Sequence, residues 1–180
     1  MSERPAQRTG TPASEQHARY REVISHFASG VSIVTADGPD GPSGLTANAL
    51  CSVSLEPLLL LVCFDNSART LTSVSGCGRF GVNILRHEQH AVSGVFASKA
   101  PEREKFANLD WRLRSGAPIL DDALAWLVCE LRELHPGGDH TIAIGTVIEM
   151  DHDSDGQPLL WYRGRYGVFA HSQPAEADLI

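Results

Sequence analysis

The stretch that decides the fold is Gly44-Leu-Thr-Ala-Asn-Ala-Leu-Cys-Ser-Val-Ser54, followed after Leu55-Glu56-Pro57 by Leu58-Leu-Leu-Leu-Val-Cys-Phe64. The first part mixes small and polar residues; the second is a continuous apolar run, bounded by Pro57 and by Asp65-Asn66. Both read as strands, with room between them only for a turn. Strands joined by a turn pair antiparallel, whereas a parallel pair needs a crossover of about a dozen residues, usually a helix.

Working outward, the same strand period recurs. Val31–Thr35 ends at the turn cluster Asp37-Gly-Pro-Asp-Gly-Pro42, and Phe80–Leu85, Ala123–Leu134, Thr141–Asp151 and Gly164–Ala170 complete the series. Short helices fit over Ala68–Ser75, Glu88–Phe96 and Glu102–Asn108. So many strands with so few helices predict a mainly β fold, an antiparallel sheet closed into a small barrel. Residues 1–13 read as a flexible tail and 14–180 as one domain. A helix over Ser14–Phe27 opens that domain, with Ser14 as its N-cap. Its apolar positions Tyr20, Val23, Ile24 and Phe27 make a stripe expected to be buried.

Composition excludes several functions. With 180 residues, 42% apolar and 21% charged, the chain can bury a core. Its longest apolar run, Leu58–Phe64, is far short of the roughly 20 residues of a membrane helix. The net charge of −7 argues against coating nucleic acid or an anionic membrane. Cys51, Cys63, Cys77 and Cys129 form no C-x-x-C pair and read as buried thiols of a reduced interior. The polar start carries no secretory signal, so the cytoplasm is the expected compartment.

Three motifs carry less than they promise. Gly76-Cys-Gly78-Arg-Phe-Gly81 matches a dinucleotide fingerprint, but here a helix precedes the glycines and a strand follows, the reverse of what that loop needs. Gly76 reads instead as a helix C-cap. Asp151-His-Asp153-Ser-Asp155-Gly156 starts like a calcium loop, yet Tyr162 stands where the bidentate Glu belongs, so a solvated hairpin loop is expected. The histidines and cysteines show no zinc spacing, His87 and His90 read as surface residues, and no metal site is expected. Neither a serine-hydrolase elbow nor a convincing carboxylate pair is present; Asp121 and Asp122, being adjacent, would point to opposite faces of a strand.

Two segments remain. Thr46, Asn48, Ser52 and Ser54 crowd one strand with small hydrogen-bonding residues, which lets a flat polar ligand approach the backbone. An ordinary edge strand explains them equally well. His135-Pro-Gly-Gly-Asp-His140 holds Asp139 and His140 at a strand mouth behind a tight glycine turn; a plain polar turn is the simpler alternative.

Taken in order, the landmarks resemble the short-chain flavin reductases, the reductase halves of two-component flavin-dependent monooxygenases. They are Phe27-Ala-Ser-Gly-Val-Ser-Ile-Val-Thr35, Gly44–Ser54, Glu56-Pro57, Phe80–Leu85, Val95-Phe-Ala97, Gly116-Ala-Pro118, Gly138-Asp-His140 and Pro158–Gly167, nearly the whole chain beyond the tail. The resemblance implies an FMN-binding split barrel, Greek-key-like with short flanking helices, and a homodimer with flavin at the interface. It implies an NAD(P)H:flavin oxidoreductase that passes a hydride from NADH to FMN or FAD and supplies reduced flavin to a separate monooxygenase. NADPH is less favoured, since no arginine cluster for a 2′-phosphate is visible. A non-catalytic flavin carrier on the same barrel is the alternative.

Residue by residue, the resemblance places Thr46, Ala47, Asn48, Cys51, Ser52 and Val53 along the isoalloxazine ring. Ser67 and Thr70 would hold the flavin phosphate, though Ala68 stands where many relatives have a second Ser. Phe96 would cover the flavin and Lys99, one of only two lysines, would pair the phosphate. His140 would be the catalytic residue beside the nicotinamide, with Arg165 and Tyr166 helping to hold the dinucleotide. A chain this short implies that flavin and nicotinamide share one cleft.

Overall fold

The computed structural model describes residues 13–170. The tail expected over 1–13 lies, except for Ala13, outside the described residues, as do 171–180 of the expected domain. A helix α1 (Ala13–Ile24) leads into β1 (Ser29–Gly30), β2 (Ser32–Gly38), β3 (Gly41–Ala47), β4 (Leu50–Leu55) and β5 (Leu58–Asp65). Then come α2 (Arg69–Cys77), β6 (Arg79–Ile84), a 3-10 turn (His87–Gln89), α3 (His90–Ala97) and α4 (Glu102–Phe106). The chain continues through β7 (Trp111–Arg114), β8 (Ala117–Leu120), β9 (Ala125–Gly137), β10 (His140–His152), β11 (Leu159–Tyr162) and β12 (Arg165–Val168).

Seven strands form one antiparallel sheet in the order β3-β2-β6-β9-β10-β5-β4. Its edge strands, β3 and β4, are consecutive in the chain and separated only by Asn48 and Ala49. The sheet must therefore curl until its edges meet, yet no ladder joins them: the barrel is split there. Ala49, in the link between these edges, accepts a hydrogen bond from the Cys63 amide at 3.0 Å and so continues the β4–β5 ladder by one position.

Both faces of strand β2 are covered. Val34 and Ala36 enter one cluster with Val62, Phe64, Phe80, Val82 and Cys129. Ile33, with Val31 just before the strand, enters another with Leu85, Phe96, Phe106, Leu120 and Leu159. Alternation along the strand sends these sets to opposite sides, and helices α3 and α4 close the second. Asn83, fully buried on β6, donates to the Ile33 carbonyl (3.1 Å) and accepts from the Leu120 amide (2.8 Å), pinning β8 to the sheet.

Several expectations change. The α1 stripe is not buried: Tyr20, Val23, Ile24 and Phe27 are at least half exposed, because no other element of the described chain covers that face. The helix starts at Ala13, so Ser14 lies inside it rather than capping it. Gly76 lies within α2; the C-cap is Gly78, in the left-handed conformation at φ 71°, its amide bonded to the Val74 carbonyl at 2.9 Å. Gly44–Ser54 is two strands, not one, and the hairpin β7–β8 and strand β11 were not anticipated. Of the thiols, Cys129 is buried and Cys63 half-buried, but Cys51 and Cys77 are exposed. Burial pushes the Cys129 thiol up to about 12.

Candidate active site

The split leaves a cleft of about 670 Å³. Its walls are the end of β3 with Asn48 and Ala49, the end of β5, the start of α2, the segment after α3, and His140 at the mouth of β10. Short hydrogen bonds hold these pieces together. Thr46 donates through its hydroxyl to the Ser93 carbonyl of α3 at 2.6 Å. At Gly44 a Cβ would stand 2.6 Å from the Phe96 ring, so only glycine lets β3 pack this closely on α3.

One end of the cleft suits an anion. Helix α2 begins after Ala68, which provides no side-chain cap, so first-turn amides remain available to a ligand. Around it stand Lys99, Arg69 and the buried Lys105. Lys105 donates to the Gly44 carbonyl at 3.0 Å and pairs with Glu102 at 3.4 Å. The Glu102 carboxylate also accepts from the Gly44 amide at 3.0 Å and from Arg69 at 2.9 Å. Glu102 thus ties α2, β3 and α4 together.

The other end carries His140. Its Nδ1 lies 2.8 Å from the Asp139 carboxylate, and it is the cross-strand partner of Asp65. The hairpin that presents it turns through Gly138, at φ 77°. Hydrogen bonding to His140 holds the Asp139 carboxyl below its usual range. The Ser67 hydroxyl and amide, with the nearby His140 imidazole, do the same for Asp65.

Thr46, Ala47, Asn48, Ser67, Thr70, Phe96, Lys99 and His140 line this one cleft. Ser67 has a complication: its hydroxyl and amide both donate to Asp65 Oδ1, at 2.6 and 2.7 Å, so neither donor is free for a phosphate in this arrangement. Cys51, Ser52 and Val53 are not among the lining residues; they are exposed along β4, beyond the point where Ala49 ends the wall. Arg165 and Tyr166 border a neighbouring depression, and Tyr166 reaches a smaller pocket shared with Thr46 and Asn48. Sequence reasoning passed over Glu102 and Lys105, although their i,i+3 spacing on a helix was a usable signal.

Residues 24–170 match the family model described as the flavin reductase like domain. The chain belongs to this family. A Rhizobium meliloti (strain 1021) protein named for flavin reductase activity is 43% identical over 148 residues; the match spans 81% of this chain but 47% of that longer relative. The FMN reductase (NADH) RutF of Agrobacterium fabrum is 38% identical, over 87% of this chain and 90% of that one. Nitrilotriacetate monooxygenase component B from Mycobacterium thermoresistibile has a similar structure, with a TM-score of 0.86 and 34% identity, covering 92% of this chain and 94% of that chain. The split β-barrel is the fold of this flavin reductase, and within its described residues no helix is long and apolar enough to cross a membrane.

Proposed function

We propose that this flavin reductase is an NAD(P)H:flavin oxidoreductase that delivers reduced FMN or FAD to a separate flavin-dependent monooxygenase, with NADH as the preferred donor. One observation carries the reading: the split in the barrel gathers the Thr46–Asn48 wall, the uncapped start of α2 and His140 into a single cleft. Flavin, when bound, supplies the ring that accepts the hydride. Hydride transfer asks the protein for stacking and alignment more than for acid or base. That demand fits a site with rigid small-residue walls and one histidine.

Thr46, Ala47 and Asn48 present backbone and small side chains to the flavin ring, with Phe96 packed behind them. Thr70 at the start of α2, Lys99 and the α2 amides receive the phosphate; Ser67 joins them only if its donors leave Asp65. His140, held by Asp139, orients the nicotinamide, with Arg165 and Tyr166 assisting. His140 at the cleft also favours catalysis over a flavin-carrier role.

The working unit is a homodimer. The exposed Tyr20, Val23, Ile24 and Phe27 of the α1 region need a cover, and so do Val53 and Leu55 on β4. Cys51, Ser52 and Val53 then act across the subunit boundary rather than within one chain's cleft. The decisive experiment adds flavin and NADH to the purified protein and follows NADH absorbance. Flavin-dependent NADH loss is expected; flavin binding without it would leave the carrier reading.

A further inference from the structure

Two carboxylates line the cleft, Asp65 and Glu102, and they are partnered differently. Glu102 faces Arg69 at 2.9 Å and Lys105 at 3.4 Å, so cations match its charge. Asp65 takes its hydrogen bonds from Ser67 instead, through the hydroxyl at 2.6 Å and the amide at 2.7 Å, both on Oδ1. Those are donors that the phosphate end of the cleft would otherwise offer to a ligand. Bonds to a carboxylate are charge-assisted, and these two are the main cause of the lowered Asp65 pKa.

The backbone around this contact is pinned. Asp65 ends β5 and its carbonyl accepts from the Ala68 amide at 2.9 Å, while the Asn66 amide donates to the Asp139 carbonyl at 3.1 Å. The Asn66 side chain donates to the Gly138 carbonyl at 3.2 Å and accepts from the Thr141 hydroxyl at 2.7 Å. The turn therefore presents Ser67 in a fixed place, whereas Asp65 is exposed to solvent. Rotation about the Asp65 side-chain bonds alone releases both donors and leaves the fold unchanged.

We propose that Asp65 sets how firmly the cleft holds flavin: its carboxylate competes with the flavin phosphate for the Ser67 hydroxyl and amide, so that flavin is exchanged as a substrate instead of being retained. The proposal rests on the flavin reading of the cleft and deepens it by naming a residue that weakens the ligand's hold. Two effects act in the same direction. Binding must break two short bonds to a carboxylate before the phosphate can use the same donors, which leaves little net gain at that position. The displaced carboxylate also stays on the cleft wall as a like charge, opposing Lys99 and Arg69. Such a device suits a protein that must let its product go, because a phosphate met by every donor free would leave slowly.

The test measures flavin affinity without NADH, by fluorescence titration of the intact protein with FMN and with riboflavin, which has the same ring and no phosphate. Asp65→Ala is expected to tighten FMN about tenfold and to leave riboflavin within about twofold. Stopped-flow displacement should find most of the gain in slower FMN dissociation. Adding Ser67→Ala to Asp65→Ala should take back about threefold of it, since the hydroxyl is then missing. Asp65→Asn keeps an acceptor for the turn and removes the charge; it should tighten FMN about threefold, and it decides the question if the alanine variant does not fold. A merely structural Asp65 would give weaker binding of both ligands when replaced. FMN affinity unchanged or lowered, equal tightening of FMN and riboflavin, or a gain that survives Ser67→Ala in full overturns the proposal. Selective tightening of FMN in a protein that does not oxidise NADH would keep the role of Asp65 and remove the oxidoreductase reading. A wild type that binds neither ligand removes both.

Discussion

Lys105 and Glu102 clasp Gly44 from both sides of one peptide strand: the lysine donates to its carbonyl and the glutamate accepts from its amide, each at 3.0 Å. Lys105 is 5% exposed, so these two partners replace the water its ammonium gives up inside the protein.

Lys105→Met should therefore leave a carbonyl and a carboxylate short of a donor. The expected loss is about 1–3 kcal/mol of stability. Urea denaturation would show it as a lower midpoint with unchanged slope, and flavin affinity should fall as well, since Gly44 and Lys105 both line the cleft.

Gly44→Ala tests the close approach of β3 to α3. The new methyl would meet the Phe96 ring at 2.6 Å, and forcing the ring aside should cost about 1–3 kcal/mol. Phe96 faces the cleft, so a rise in the flavin dissociation constant should accompany the lower melting temperature.

His140→Ala is expected to slow turnover at least about tenfold while leaving flavin binding largely intact, because the histidine's assigned task is to align the nicotinamide. Fluorescence titration of flavin beside steady-state NADH oxidation would measure the two. Equal loss of both would contradict the role.

The same substitution makes a titration prediction. Asp139 is depressed chiefly by His140, whereas Asp65 is depressed chiefly by Ser67. Carboxyl-carbon NMR of His140→Ala should find Asp139 returned upward and Asp65 moved less. Because both are depressed in the folded state, they favour folding at neutral pH and lose that contribution as pH falls through their folded values.

Ile24→Asp places a charge on the uncovered α1 face. If the homodimer closes over it, sedimentation should find monomer where the wild type sediments as dimer.

Local pattern determined much of this protein. The turn-length gap between Ser54 and Leu58 was enough for antiparallel pairing, since three residues cannot carry a crossover. The alternation in Val31–Thr35 and the apolar run Leu58–Phe64 located two core strands within a few residues. Residue pattern singled out Thr46, Asn48 and His140 only beside plainer alternatives, and their candidate roles came through the resemblance to a family that the match over residues 24–170 shows.

Tertiary structure alone decided the rest. An apolar stripe such as Tyr20–Phe27 marks a face to be covered, but periodicity does not say whether this chain or another covers it. Of the two lysines, sequence reasoning chose Lys99 over Lys105; burial beside Gly44 depends on where α4 packs, a long-range fact with no local signature. The split itself arises because β3 and β4 are neighbours in sequence yet opposite edges of one curled sheet. Strand propensity is local and edge position is global, so the chain announced a barrel, and only its folding showed where that barrel opens.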